Sequence, residues 1–287
     1  MADTTEQKEQ NILLIGCTQQ EPHVVAFKRR HTDNNVYTLD EQGTDSERHF
    51  LCDFNKPSEV YLFYQTVKER RLEFDQIIFD VDVIKFIGTS RGRGIAGEYV
   101  FQMLLIVFNM ILKRDGRLFF ECCTWGSASI DFTTRTLNFP IIAAVPTKYH
   151  QKVTLPLESD LSGRYNHPGN MSMIVEMIKG VLDDYGFHAQ NISHDYSPYP
   201  LLTVDKIWRY IVAVKAYERA DFIVIEDNDK KYYLGYSEKP ELFDILDPKF
   251  INARAQAKIS CILSKAGLDP KRAFLFGIDD NAIALTF

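Results

Sequence analysis

Acidic side chains sit at or near the ends of several apolar runs in this chain, and a glycine ends another. Gly16 closes the run Asn11 to Gly16, Asp40 closes Val36 to Asp40, and Asp53 falls near the end of Arg48 to Phe54. Asp80 and Asp82 lie in Asp75 to Val83, and Glu121 lies in Gly116 to Cys123. If the runs are neighbouring parallel strands, these residues gather at the carboxyl edge of the sheet, where open α/β sheets hold their ligands. Gly16 would let the backbone approach a ligand closely. A carboxylate ending the second strand, as Asp40 does, can accept both hydroxyl protons of a ribose. Asp53 can accept from an exocyclic amine such as adenine N6. Asp80 and Asp82 stand two apart on a strand and face the same way, so they can share a proton and one can act as a base. The plain structural reading competes at each position, because aspartate also caps turns and solvated strand ends.

Two further groups could carry chemistry. Gly88-Thr89-Ser90-Arg91-Gly92-Arg93-Gly94 follows the fourth run, and its two guanidiniums, Arg91 and Arg93, suit a phosphate or carboxylate. Arg164-Tyr165-Asn166-His167-Pro168-Gly169 places a base, His167, beside the aromatic Tyr165. The bland alternatives are a solvated connection and a surface histidine. Lys28, Arg29 and Arg30 read as a solvated helix face. Cys17, Cys52, Cys122, Cys123 and Cys261 make no Cys-x-x-Cys pair, so reduced structural thiols are expected and a zinc site is not.

These residues need a scaffold of alternating strands and helices. Ile12-Leu13-Leu14-Ile15 is an unbroken apolar run, as expected of a strand buried on both faces. Gly97 to Lys113 has apolar residues at helical spacing and then Lys113-Arg114-Asp115-Gly116, which reads as a helix stop. From Thr124 to about Gly169 the pattern dissolves into Gly, Ser, Thr and Pro, and the stretch is taken as an insertion. A helix is expected over Asn170 to Tyr185, then a strand, then a strongly β-prone run from Ile207 to Ala216 that closes the main sheet. Beyond residue 217 two hairpins, about Asp227-Asn228-Asp229 and Asp279-Asp280-Asn281, flank a helix at Pro248 to Ala266. The expected division is a disordered leader at 1–10, a main domain at 11–216 and a small C-terminal α+β appendage at 217–287. The fold class is α/β with a mainly parallel sheet.

Composition narrows the function. The 287 residues are 45% hydrophobic and 25% charged, which suits a folded globular chain rather than a disordered or collagen-like one. A net charge of −6 speaks against non-specific nucleic-acid binding. No window approaches the roughly 18 unbroken apolar residues of a membrane span, and the polar Met1 to Gln10 has no signal-peptide core, so a cytoplasmic protein is expected.

Taken in order, the pieces resemble the class I (Rossmann-like) S-adenosylmethionine (SAM)-dependent methyltransferases, from about Asn11 to Ala216. Ile12-Leu13-Leu14-Ile15-Gly16 resembles the first strand and turn, and Val36-Tyr37-Thr38-Leu39-Asp40 the strand bearing the ribose acid. Cys52-Asp53-Phe54 is similar to the adenine-binding segment, and Phe74 to Asp80 to the fourth strand. Ile111 to Glu121 resembles the turn into strand five, and Leu182 to Phe187 with Trp208 to Lys215 the last helix and closing strands. The resemblance implies a methyltransferase sheet whose last strand is antiparallel, with SAM held by Gly16, Asp40, Asp53, Phe54 and Asp80. It implies a methyl transfer to an oxygen or nitrogen acceptor, with Asp80 or His167 as the base and Arg91, Arg93 and Tyr165 on an anionic acceptor. The loop after strand one carries one glycine, Gly16, where the family carries three, so an inactive binding or scaffolding protein on the same fold is the second reading. The appendage would then meet a second copy or a protein partner. The turn after the first strand is not a Gly-x-Gly-x-x-Gly, which argues against a nicotinamide oxidoreductase. A cytosine-type cysteine nucleophile at Cys122 or Cys123 lacks its proline-cysteine counterpart after strand four.

Overall fold

The computed structural model describes residues 9–79, 94–122, 129–131, 136–138, 182–191, 209–216, 218, 220–237 and 253–282. The first strand, β1 (Asn11–Ile15), pairs in parallel with β2 (Asn35–Asp40) on one side and β4 (Phe74–Phe79) on the other. Helix α1 (Pro22–Arg30) links β1 to β2, and α2 (Pro57–Glu69) links the short β3 (His49–Leu51) to β4. Helix α3 (Gly94–Ile111) runs directly into β5 (Leu112–Cys122). Strands β8 (Phe187–Asn191) and β9 (Arg209–Lys215) complete the sheet, and β9 is antiparallel to both β5 and β8. The order is β3-β2-β1-β4-β5-β9-β8. This is an α/β Rossmann-like sheet, mainly parallel with its last strand antiparallel.

β1 is buried from Ile12 to Ile15, which explains its unbroken apolar sequence: each face meets a helix layer. On one face Ile12, Leu14 and Val36 pack with Val24 and Phe27 of α1. On the other, Leu13, Ile15 and Leu39 join the large cluster that contains α2 and α3.

Several boundaries differ from expectation for identifiable reasons. The helix expected to stop at Lys113-Arg114-Asp115-Gly116 ends at Ile111, and that tetrapeptide lies inside β5. Register passes from Phe74↔Leu112 to Gln76↔Arg117, so β5 bulges outward there, with Asp115 at φ 63. The bulge aims Lys113 at Asp75: its Nζ lies 2.8 Å from both carboxylate oxygens, and Asp75 Oδ2 also accepts from Asn11 N at 2.8 Å. The starts of β1, β4 and β5 are thereby tied together. The third strand is three residues rather than seven, because Asp53 turns the chain towards Pro57 at the start of α2. Within the expected insertion, β6 (Ser129–Asp131) and β7 (Thr136–Asn138) form an antiparallel pair.

The C-terminal residues build a second sheet. β10 (Ala220–Asp227) and β11 (Lys230–Ser237) form the expected hairpin, with Asn228 and Asp229 at φ 51 and 59 as a two-residue turn requires. Helix α4 (Ala253–Lys265) lies within the expected helix, whose first residues fall outside the described ones, and stops before Gly267 at φ 74. β12 (Ala273–Ile278) and β13 (Asn281–Ala282) make the second hairpin, with Asn281 in the strand rather than in the turn. The sheet order is β10-β11-β12-β13.

This sheet is part of the main core. Phe222, Tyr233 and Phe276 meet Tyr61 of α2 through a ring cluster, with Tyr61 and Phe222 centroids 5.5 Å apart and Phe222 and Phe276 5.7 Å apart. Gly235 allows the closest approach to α3: a Cβ built there would stand 2.7 Å from Ile106 Cδ1 and 3.0 Å from the Phe276 ring. Ile259, Ile262 and Leu263 of α4 belong to the same cluster. Helix α3 thus lies between two sheets, and every residue from Gln102 to Asn109 is buried. The two polar residues of that buried stretch meet Tyr185, whose hydroxyl donates to Gln102 Oε1 at 2.6 Å and whose carbonyl accepts from Asn109 Nδ2 at 2.9 Å. Among the described residues no helix is long and apolar enough to cross a membrane.

Because the two sheets share one core, Phe276→Ala should cost about 3–5 kcal/mol of global stability, as expected for emptying a buried aromatic site. Denaturant unfolding followed by hydrogen exchange checks this. The variant should speed exchange in β1, β4 and β5 along with β11 and β12, whereas acceleration confined to residues 220–282 would mean that the C-terminal sheet unfolds on its own.

Candidate functional site

The register of the first three strands brings three of the sequence-predicted residues to one edge. Ile15 stands opposite Leu39, so Gly16 follows beside Asp40, and Gly16 N donates to Leu39 O at 2.8 Å. Asp40 stands opposite Leu51, and Cys52 N donates to Asp40 O at 2.9 Å, which carries the chain into Asp53. Gly16 has φ 83, a conformation that a side chain would strain, and this lets the chain turn sharply off β1. Phe79 stands opposite Ile15, so the chain beyond β4 leaves from the same edge. Asp80, Arg91, Arg93, Tyr165 and His167 lie outside the described residues.

Asp40 is half-buried. Its Oδ1 accepts from Gln42 N at 2.8 Å, and no lysine or arginine pairs with it among the described residues. Burial pushes its pKa above the ordinary 3.8, the Gln42 N–H pulls it partly back, and the charge of Glu21 adds to the rise. The Glu41 N–H and the nearby His49 also favour the ionised form, more weakly than the Gln42 N–H. Leu51, 46% exposed, lies alongside and offers an apolar patch next to that carboxylate.

Asp53 is more heavily engaged. Its Oδ1 accepts from Asn55 N at 2.9 Å and from Asn55 Nδ2 at 3.1 Å, and Lys56 Nζ is 3.7 Å from Oδ2. Its own N–H donates to Glu59 Oε2 at 2.7 Å. Much of its role is therefore the turn into α2, although Oδ2 still faces only a loosely held lysine. Phe54, expected on the cofactor, is 4% exposed and packs in the core cluster, so its ring offers almost no free face here. What this segment can offer a base is the Asp53 carboxylate and the main chain at Phe54.

The loop between β1 and α1 contains groups that the sequence reading passed over. Glu21 reaches back so that its Oε1 accepts from Thr18 N at 2.7 Å, closing the loop on itself just ahead of Pro22. Gln19 lies across β2, donating to Thr38 Oγ1 at 2.9 Å and to Arg48 O. Lys28 donates to Gln19 Oε1 in turn, and burial together with Arg48 lowers its pKa. So Lys28 is not the plain solvated cation expected of it. Thr38, fully buried, bonds His49 Nδ1 at 2.7 Å, while His49 Nε2 meets Gln42 O at 2.8 Å. This chain of bonds fixes the turn that holds the Asp40 carboxylate. A signal for Glu21 was present in its place before a helix-starting proline, three residues after Thr18. The cysteines near the edge are inert: Cys17 and Cys52 are buried, and burial pushes the Cys52 thiol well up.

The edge therefore sets the Asp40 carboxylate beside Gly16 and next to the Asp53 turn, groups that could hold a ribose and a base. The Thr18 N–H, which could meet a tail carboxylate, is already taken by Glu21.

Compared with known proteins, the chain matches no family model and no curated protein sequence. Among solved structures it is similar to a TehB-like SAM-dependent methyltransferase from Corynebacterium glutamicum, at 13% identity over 72% of this chain and 81% of that one, with a TM-score of 0.34. A methyltransferase from Pyrococcus furiosus matches at 11% identity over 73% and 76%, with a TM-score of 0.31. The antibiotic-resistance methyltransferase Kmr matches at 10% identity over 72% and 87%, with a TM-score of 0.37. Superpositions this loose carry no weight of their own, and the fold assignment rests on strand order and direction.

A carboxylate with a raised folded pKa penalises its own ionised form. Stability is then highest below the unfolded value and is lost as pH rises through the raised one. Asp40→Asn should therefore raise the melting temperature at neutral pH, and the gain should shrink as pH falls towards 4, close to the ordinary carboxylate value. A destabilised Asn variant at pH 7 would show that the ionised carboxylate is structural.

Proposed function

We propose that the chain is a SAM-dependent methyltransferase that binds its cofactor at Gly16, Asp40 and Asp53 and transfers a methyl group to an oxygen or nitrogen acceptor. The observation that carries this reading is the half-buried Asp40 carboxylate, unpaired with any lysine or arginine among the described residues and set by register beside Gly16 at the edge where such sheets take ligands. Bound there, the cofactor would supply an electrophilic methyl on sulfur. The chain's own part would be positioning. Asp40 Oδ2 would accept from the ribose, the Asp53 segment would hold the base, and Gly16 would let the main chain come close. Asp80 or His167 would take a proton from the acceptor, and Arg91, Arg93 and Tyr165 would orient an anionic one.

A second reading, a binding or scaffolding protein without turnover, is favoured by one specific observation: the loop after β1 satisfies its own Thr18 N–H through Glu21. In that case the C-terminal sheet would offer the docking surface.

Calorimetric titration with SAM and S-adenosylhomocysteine tests the cofactor assignment. Asp40→Ala should weaken both by about 1.5–3 kcal/mol, the worth of hydrogen bonds to a charged group. Unchanged affinity would move the ribose elsewhere. Alanine at both Arg91 and Arg93 should leave cofactor affinity intact and abolish turnover on an anionic acceptor, and equal losses in both would contradict the acceptor role.

A further inference from the structure

The tail end of the same pocket has a charge character of its own. The loop from Gly16 to Glu21 leaves β1 beside Asp40, held there by the Gly16 N to Leu39 O bond of 2.8 Å. It then folds back until the Glu21 carboxylate covers the Thr18 N–H at 2.7 Å. Two things follow for any ligand tail that extends from a ribose on Asp40. A tail carboxylate would find that N–H occupied, and it would approach two carboxylates, those of Glu21 and Asp40. A tail ammonium would be drawn to the same pair. The Asp40 pKa is raised first by burial, and the Glu21 charge adds to the rise, as expected of a carboxylate on the adjoining loop. Like charges on one side of a site disfavour a partner of the same sign.

We infer that this pocket prefers an adenosine ligand whose tail is cationic and lacks a carboxylate over one carrying the full amino-acid tail, and that Glu21 sets the preference. The inference rests on the adenosine assignment of Proposed function and specifies the ligand class of that site. Glu21 acts here as a specificity residue through charge and through the donor it occupies.

The test is calorimetry on the full chain with SAM and with decarboxylated SAM. The two share the adenosine, the sulfonium and the amine, and differ in the carboxylate alone. Wild type should bind the decarboxylated form at least about fivefold more tightly. Glu21→Gln keeps an oxygen for the Thr18 N–H and removes only the charge, so it should narrow the gap to about twofold by improving SAM and weakening its decarboxylated relative. Glu21→Ala, which also frees the N–H, should improve SAM further, and its circular dichroism checks that the loop change has not unfolded the chain. SAM binding as tightly as the decarboxylated form in wild type, or a gap untouched in Glu21→Gln, would overturn the inference while leaving the pocket assignment standing. Heat from neither ligand in wild type and both variants would overturn the adenosine site and this inference with it.

Discussion

The middle of helix α3 turns no face to water. From Gln102 to Asn109 it is buried throughout, and its polar members are answered by Tyr185 rather than by solvent. A helix of that kind must be covered twice. The main sheet supplies one cover and the sheet of β10 to β13 the other, with Gly235 thinned to let Ile106 in. The C-terminal strands are therefore a third layer of one core. Through α3 they also brace β4 and β5, the strands on either side of that helix in the chain.

From this bracing follows the order at the sheet's carboxyl edge. Parallel pairing of β1 with β2 and β4 sets Gly16, Asp40 and the end of β4 level with one another. At the opposite edge the Asp75 carboxylate joins Lys113 and Asn11 and fixes the same strands from below. The carboxyl edge carries some cost in electrostatics: Asp40 is half-buried with no lysine or arginine partner among the described residues, and the Glu21 charge adds to the rise of its pKa. Perturbed carboxylates of this kind cluster at functional sites.

Strands β1, β2 and β4 were legible in the sequence as largely apolar runs, the first two ended by Gly16 and Asp40. The first C-terminal hairpin was legible from Asp227-Asn228-Asp229, whose residues tolerate positive φ. Other features turned on competition between local signals. Lys113-Arg114-Asp115-Gly116 carries the marks of a helix stop, yet the same tight turn serves as a strand bulge once β4 lies alongside. Phe54 looked like a ligand platform because it follows Asp53, and only the packing of the large cluster shows that its ring points into the core. Glu21, Gln19 and Lys28 could not be assembled from the sequence, since their contacts depend on how the β1–α1 loop folds across β2.

All of this converges on one claim, that the carboxyl edge formed by Gly16, Asp40 and Asp53 is an adenosine site. A crystal structure of the full chain grown with S-adenosylhomocysteine and, separately, with 5′-methylthioadenosine tests it most directly. The account predicts ribose hydroxyls within hydrogen-bond distance of Asp40 Oδ2 and the adenine against Asp53, Phe54 main chain and Leu51. An adenosine bound elsewhere on the chain, or an edge that stays closed to both ligands at saturating concentration, would contradict it.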